Sequence, residues 1–224
     1  MRQVFLRLSG CNLACDYCDT AEAREKIDSC QVVDAAGNRK IIPNPLGIAE
    51  AAELMGELWT SGTHSVSLTG GEPLLQAEEL AELLPMLRRR GMRIYLETNG
   101  TLHEELKLVL GWIDWIAMDV KLPSSQGGRD LLAAHRQFLE AAAGPNVFLK
   151  MVITPETGEA ELSSACTILA EETPGLTLVL QPATGPDGAI AITPERATKL
   201  HEIAGTSFTD VRVIPQMHKL WGIK

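Results

Sequence analysis

The sequence lacks the features that would assign it to a membrane or to nucleic acid. No segment approaches the ~20 consecutive apolar residues that a membrane-spanning helix needs, and the N-terminal segment is too short and too polar for a signal peptide. Positive charge is also scarce, because 20 Lys and Arg stand against 29 Asp and Glu, for a formal net charge of −9. Nucleic-acid-binding surfaces are usually basic. We therefore expect a cytoplasmic protein that binds neither membranes nor nucleic acid.

Cysteine is scarce as well, with five residues among 224. In a reducing compartment, such cysteines are more often metal ligands or buried thiols than disulfide partners. Internal repeats and low-complexity segments are absent, and 45% of the residues are hydrophobic. This length and composition fit a single folded domain that spans residues 1–224.

Short β-rich runs alternate with helical patterns along the chain. The runs predict strands over residues 4–8, 65–68, 93–97, 115–120, 147–153, 176–180 and 211–214. The helical patterns cover residues 48–60, 78–90, 103–110, 130–142, 159–172 and 194–203. Several strands are apolar on both faces, as strands covered by helices are. Repeated β-α units with right-handed crossovers predict an α/β fold whose parallel sheet forms an open or a closed barrel.

Residues 21–45 interrupt this alternation. They show no clear periodicity and contain Gly37, Asn38, Pro43 and Pro45, residue types that favour turns. We expect this segment to be an excursion from the domain or a small hairpin.

The strongest chemical signal follows the first predicted strand, where Cys11, Cys15 and Cys18 lie close together in sequence. Three thiolates on one loop can hold three irons of a cubane iron–sulfur cluster. The fourth iron then lacks a protein ligand and can bind a cofactor or a substrate. The alternative is a structural zinc site, which prefers four ligands and which Cys30 could complete.

A second signal, Gly70-Gly71-Glu72-Pro73, follows the second predicted strand of the sheet. Glycines there leave the backbone free of side chains, so that its polar groups can approach a bound ligand. Together with the cysteine loop, this element resembles the radical S-adenosylmethionine (SAM) superfamily. The resemblance implies a partial, open parallel β/α barrel, a 4Fe–4S cluster and SAM.

Longer stretches are similar to the 7-carboxy-7-deazaguanine synthase family of radical SAM lyases, which act in queuosine and deazapurine biosynthesis. They are Phe5 to Leu13, Cys15 to Thr20 and, near the C-terminus, Val211 to Lys219. The resemblance implies conversion of 6-carboxy-5,6,7,8-tetrahydropterin to 7-carboxy-7-deazaguanine, after a 5′-deoxyadenosyl radical removes a substrate hydrogen. It also implies one-electron reduction by a flavodoxin or ferredoxin, a Mg²⁺ that grips the substrate, and a homodimer.

The resemblance also assigns roles to residues. Cys11, Cys15 and Cys18 would hold the cluster, Thr20 would bind Mg²⁺ through its hard hydroxyl oxygen, and Arg7 and Thr69 would contact the pterin-like substrate. Ligands of parallel α/β folds bind beyond the carboxyl ends of the strands, and the expected SAM contacts lie at such ends or in the cysteine loop. They are Tyr17, Asp19, Gly70, Gly71, Glu72, Thr98, Asn99, Asp119, Lys121 and Gln181.

The sequence also differs from the family pattern. Members usually carry an upstream segment with a Gln-Gly-Glu-Gly-like turn that helps to hold the pterin, whereas this sequence begins at the first predicted strand. We expect those contacts to be absent or replaced. The alternatives are a radical SAM enzyme with another substrate, such as an activase that acts on a protein partner, and a zinc-stapled binding protein without catalysis.

Overall fold

The computed structural model describes residues 1–18, 20–173, 175–185 and 187–220. The strands within these ranges are β1 (Gln3–Leu8), β2 (Ser29–Val33), β3 (Arg39–Pro43), β4 (Ser65–Gly70), β5 (Ile94–Thr98), β6 (Trp115–Val120), β7 (Asn146–Ile153), β8 (Thr177–Pro182) and β9 (Asp210–Val213). The α-helices are α1 (Ile48–Leu58), α2 (Ala77–Arg89), α3 (His103–Val109), α4 (Leu132–Ala141), α5 (Glu159–Glu172), α6 (Pro194–Gly205) and α7 (Met217–Leu220).

The main sheet has the order β1-β4-β5-β6-β7-β8-β9, and every neighbouring pair is parallel. Its two edge strands, β1 and β9, do not pair with each other in the described part of the chain. The sheet is therefore an open parallel β/α sheet and not a closed barrel, which confirms the expected fold class. Each predicted strand is present, with ends that shift by a few residues.

The longer helices form because each presents one apolar stripe to the sheet. In α2, Leu80, Leu83, Leu84 and Leu87 recur at three- and four-residue steps and are all buried. Burial of each leucine contributes about 2 kcal/mol to folding. Acidic residues in the first turn of α2 and arginines in its last turn suit the helix dipole. The predicted buried face of this helix is thus confirmed.

Residues 21–45 form a short 3-10 helix, Ala21–Arg24, followed by the antiparallel hairpin β2–β3. The hairpin forms its own two-stranded sheet, separate from the main one. Its turn is closed by the Asp34 carboxylate, which accepts hydrogen bonds from the main-chain N–H groups of Ala36 and Asn38 at 2.8 and 2.9 Å. The hairpin alternative for this segment is therefore confirmed.

The two faces of the main sheet differ in chemistry because side chains alternate along each strand. The helix-covered face is apolar, and many of its residues, such as Leu68, Leu96 and Leu149, are fully buried. We call the opposite side the polar face, and the strand register places the following residues on it: Arg7, Ser67, Thr69, Glu97, Asp119, Lys150 and Gln181. All strands of this sheet end at one edge, so these side chains and the loops beyond them meet there.

Candidate active site

The cysteine loop leaves the end of β1 and is fixed by contacts with two other segments, the 3-10 helix Ala21–Arg24 and Gln76. Gly10 N–H donates to the carbonyl of Ala23 at 2.7 Å, and Arg24 donates to the Cys15 carbonyl at 2.7 Å. Gln76 donates to the Ser9 carbonyl at 2.8 Å. Because these bonds hold the backbone, they preset the directions of the three cysteine side chains.

Cys11, Cys15 and Cys18 are half-buried and free of disulfides. Burial raises the pKa of the Cys11 thiol, so that thiol keeps its proton until a metal displaces it. Within the described ranges, no three His, Cys, Asp or Glu side chains converge on a point where a single metal ion could sit. Cys30, the fourth ligand of the zinc alternative, lies on β2 of the hairpin.

Gly70 and Gly71 let the loop after β4 pack directly on the cysteine loop. A Cβ atom at Gly71 would lie 1.9 Å from the carbonyl oxygen of Gly10. Gly70 has a φ of +123°, and a Cβ there would lie 2.1 Å from the Leu8 carbonyl oxygen. Two hydrogen bonds seal the contact, from Gly71 N–H to Leu8 O at 2.9 Å and from Glu72 N–H to Gly10 O at 2.7 Å. The two motifs therefore form one packed unit, in which only glycine fits because a side chain at either position would overlap the backbone.

Glu72 is fully buried behind this contact. Its Oε1 accepts hydrogen bonds from Leu74 N–H at 3.1 Å and from the Thr98 hydroxyl at 2.8 Å, and its Oε2 accepts one from Asn99 N–H at 2.7 Å. Burial raises the pKa of the Glu72 carboxyl to about 7, although these hydrogen bonds act in the opposite direction. The side chain thus joins the end of β4 to the end of β5.

Asn99 extends this network to the cysteine loop. Its side-chain amide donates to Oδ1 of Asn12 at 2.8 Å, and Asn12 in turn donates to the Thr101 hydroxyl at 2.9 Å. The main-chain carbonyl of Asn99 lies 3.1 Å from Nε2 of His135 on α4. Because burial lowers the pKa of His135 to about 4, the ring is neutral at pH 7 and its Nε2–H donates. The polar groups of Thr98 and Asn99 therefore brace the loops of the site.

A buried charge network lies at the ends of β6 and β7. Oδ2 of Asp119 lies 2.9 Å from Nζ of Lys121 and 3.1 Å from Nζ of Lys150. Nζ of Lys121 also donates to the Tyr17 hydroxyl at 3.1 Å and lies 5.0 Å from the centre of that ring. Burial alone would raise the pKa of the Asp119 carboxyl, but the two lysines hold it below its usual value. The structure thus brings together Tyr17, Asp119 and Lys121, which the sequence predicted as separate contacts.

The remaining predicted site residues that the structure describes lie on β1, β4 and β8 and in the loop after β1. Arg7 on β1 is the register partner of Thr69 on β4, and both lie on the polar face. Gln181 lies on the same face near the end of β8. Thr20 precedes the 3-10 helix, and its hydroxyl makes no capping hydrogen bond there. Asp19 lies outside the described residues.

Sequence reasoning missed Lys150 and His135, and it did not recognise the bracing role of Asn12. One signal for Lys150 was available, since a lysine within the apolar run of β7 must find a buried partner of opposite charge. His135 carried no such signal, because its contact with Asn99 joins residues that are 36 positions apart.

Two observations show that the site fits a cluster and SAM. The half-buried cysteines share one fixed loop, and Oδ1 of Asp119 is buried with no hydrogen-bond partner in the described residues. An unpaired buried acceptor costs about 1–3 kcal/mol unless a ligand supplies a donor. The site therefore offers thiolates and a free acceptor to incoming groups.

Comparisons with known proteins agree with this chemistry. The model of the Radical SAM superfamily matches residues 6–147. A 7-carboxy-7-deazaguanine synthase from Geobacter sulfurreducens is 42% identical over 99% of this chain and 90% of its own length. A protein of the same name from Methanothermobacter thermautotrophicus is 33% identical over 100% of this chain and 90% of its own length. The superfamily match brings the 4Fe–4S cluster and SAM as cofactors.

Solved structures support the fold. A radical SAM methyltransferase from Sphaerobacter thermophilus aligns with a TM-score of 0.61 and 16% identity, over 94% of this chain and 66% of that one. TYW1 with a lysine-pyruvate adduct bound aligns with a TM-score of 0.56 and 12% identity, over 92% of this chain and 74% of that one. The family model and the sequence relatives show that the chain belongs to the radical SAM superfamily and, within it, to the 7-carboxy-7-deazaguanine synthase family.

Proposed function

We propose that this protein is a 7-carboxy-7-deazaguanine synthase, which contracts the ring of 6-carboxy-5,6,7,8-tetrahydropterin with loss of ammonia. The observation that carries the proposal is the packed unit of cysteine loop and Gly70-Gly71, in a chain that matches synthases over nearly its full length. When bound, the cluster and SAM supply the 5′-deoxyadenosyl radical that removes a substrate hydrogen.

The protein holds these groups with residues from different strand ends. Cys11, Cys15 and Cys18 would ligate the cluster, and the loop at Gly70 and Gly71 would lie beside the methionyl part of SAM. The cation of Lys121 lies close enough to Cys15 to act on it electrostatically, which favours the anionic cluster and the SAM carboxylate. Because Lys121 is buried, water screens its charge less and its attraction for these negative groups is stronger.

Recognition of SAM involves a second set of groups. Oδ1 of Asp119, which has no partner among the described residues, would accept a hydrogen bond from a ribose hydroxyl, and Gln181 near the end of β8 would lie beside the adenine. Tyr17 would flank the cofactor from the cysteine loop, and Asp19 stays a contact predicted from the sequence. Glu72, Thr98 and Asn99 hold the loops after β4 and β5 in place through their hydrogen bonds.

The substrate binds on the polar face beside these groups. Arg7 and Thr69 are neighbours on adjacent strands, so that a cation and a hydroxyl can contact the same pterin. The uncapped hydroxyl of Thr20 is a hard oxygen ligand for a Mg²⁺ that orients the substrate.

A flavodoxin or ferredoxin would deliver the electron, and we propose a homodimer as the working form. No helix of the described residues is both long and apolar enough to cross a bilayer. The cytoplasmic location stays a prediction.

The deciding experiment is anaerobic reconstitution with iron and sulfide, followed by product analysis with SAM, reductant, Mg²⁺ and the tetrahydropterin. We expect 7-carboxy-7-deazaguanine and about four irons per chain. Cys15→Ala should abolish the cluster and SAM cleavage. Cys30→Ala, on the hairpin, is the matched control and should retain both.

The outcomes separate the alternatives. Formation of 5′-deoxyadenosine without deazaguanine would keep the radical chemistry and reject the substrate. Transfer of hydrogen from a protein into 5′-deoxyadenosine would identify an activase. About one zinc per chain and no iron would reject the catalytic proposal altogether.

A further inference from the structure

Lys150 has no role in the proposed function so far, yet it lies next to the expected cofactor site. It is the register partner of Asp119 across β6 and β7, and its side chain is 20% exposed. The ammonium groups of Lys150 and Lys121 both contact one oxygen, Oδ2 of Asp119. The other oxygen, Oδ1, is buried and has no partner in the described residues.

This arrangement is unusual on electrostatic grounds. One carboxylate and one lysine would already form a neutral pair, and burial of a second cation costs several kcal/mol unless another group compensates it. The other ionisable groups that act on Lys121 or Asp119 are Tyr17, Cys11, Cys15, Glu72 and His135. His135 is neutral at pH 7, the two cysteines belong to the cluster loop, and Glu72 carries only part of a charge because burial raises its pKa to about 7. Taken by themselves, Asp119 and the two lysines carry one excess positive charge beside the expected cofactor site.

We propose that Lys150 is a positioning residue for SAM: it fixes the Asp119 carboxylate so that Oδ1 stays free to accept a hydrogen bond from a cofactor hydroxyl. The inference rests on the proposed function of Asp119 as a SAM contact. Lys150 does not contact the cofactor itself and acts through Asp119.

The geometry explains why one lysine would not suffice. Lys121 divides its donors between Asp119 and the Tyr17 hydroxyl, so it holds the carboxylate at a single oxygen. Without Lys150, the carboxylate is free to turn and pair both oxygens with Lys121, because no other side chain restrains it among the residues the structure describes. That pairing would occupy Oδ1 and pull Lys121 away from Tyr17.

The test measures binding of SAM to anaerobically reconstituted protein by calorimetry, without pterin. Lys150→Met should raise the Kd for SAM about tenfold, equivalent to ~1.4 kcal/mol, while iron content stays unchanged. Lys150→Arg should restore most of the affinity, because it keeps the charge and the donors. Lys107→Met, at an exposed lysine on α3, is the matched control and should bind SAM as the unmodified protein does.

A double-variant cycle shows whether the effect passes through Asp119. In an Asp119→Asn background there is no carboxylate to hold, so Lys150→Met should no longer weaken binding and should relieve repulsion between the lysines. An equal loss in both backgrounds would refute the positioning role, as would unchanged affinity in Lys150→Met. If Lys150→Met does not fold, Lys150→Leu, which also removes both the charge and the donors, provides the same comparison.

These outcomes are distinct from those that test the proposed function. If the unmodified protein forms no deazaguanine but Lys150→Met weakens SAM binding as expected, the proposed substrate is rejected and the inference about Lys150 stands. If Lys150→Met forms deazaguanine normally and binds SAM with unchanged affinity, the inference about Lys150 is rejected and the proposed function stands.

Discussion

The contact between Gly71 and the cysteine loop makes Gly71→Ala a stringent test of the site. The new methyl carbon would lie 1.9 Å from the Gly10 carbonyl oxygen, 2.6 Å from its carbonyl carbon and 2.9 Å from the Ala23 carbonyl oxygen. All three atoms belong to the backbone, so no side chain can rotate away. The loops must separate.

The size of that movement follows from the same distances. Real Cβ contacts essentially never fall below 3.0 Å, so the loop that carries Cys11 must move by about 1 Å. Overpacking of this kind costs ~1–3 kcal/mol of folding free energy. A shift of about 1 Å in reacting groups can lower a rate ~100-fold. We therefore expect SAM cleavage to fall about 100-fold while the chain stays folded.

The assay compares 5′-deoxyadenosine formation, iron content and the thermal midpoint of Gly71→Ala with those of Gly62→Ala. Gly62 makes a fair control, because a Cβ there meets nothing within 4 Å and its φ is not positive. The control should cleave SAM at the normal rate. If Gly71→Ala cleaved SAM within threefold of the unmodified rate, the close packing of the two loops would not be required for the chemistry.

Three further predictions follow from the same geometry. Burial raises the pKa of Glu72 from 4.5 to about 7, so its contribution to stability is full below about pH 4.5 and falls by ~3 kcal/mol as the pH rises through 7. Urea titrations across this range should show that Glu72→Gln lacks this pH dependence. Thr20→Val should raise the Mg²⁺ concentration for half-maximal deazaguanine formation about tenfold without changing iron content; equal Mg²⁺ curves would remove Thr20 from the metal site. His135→Leu leaves the Asn99 carbonyl unpaired and should lower the free energy of unfolding by ~1–3 kcal/mol, and a change within measurement error would show that water replaces the ring.

The order of elements could be predicted from sequence because each depends on local patterns. The helix α5 occupies Glu159–Glu172, the residues expected from its periodicity. The helix α1 ends at Leu58, two residues before the expected end. The ends of helices depend on capping and on the following loop, which periodicity does not report. The parallel order of the sheet followed from the β-α alternation.

The contacts within the site were less accessible to sequence reasoning. The ends of parallel strands share an edge, which is why Asp119 and Tyr17 could be assigned to one site. Their connection depends on Lys121, which contacts both, although Lys121 and Tyr17 are more than 100 positions apart. Lys150 was read only as part of a strand, since a pattern of alternation gives the face of a residue and not its partner. Long-range ion pairs require the register between β6 and β7.

The register also explains why the two signature motifs work only as a pair. β1 and β4 are adjacent and parallel, so the loops that follow them leave the sheet side by side. Each loop then completes the other, because Gly10 accepts a hydrogen bond from Glu72 N–H and Asn12 accepts one from Asn99, whose N–H is held by the Glu72 carboxylate. A change in the glycine loop therefore reaches the cysteines through the backbone, and a change in the cysteine loop reaches Glu72 by the same route. The cysteine loop and the glycine loop form one mechanical unit, in which the buried Glu72 side chain links the ends of β4 and β5 and the glycines permit the close contact.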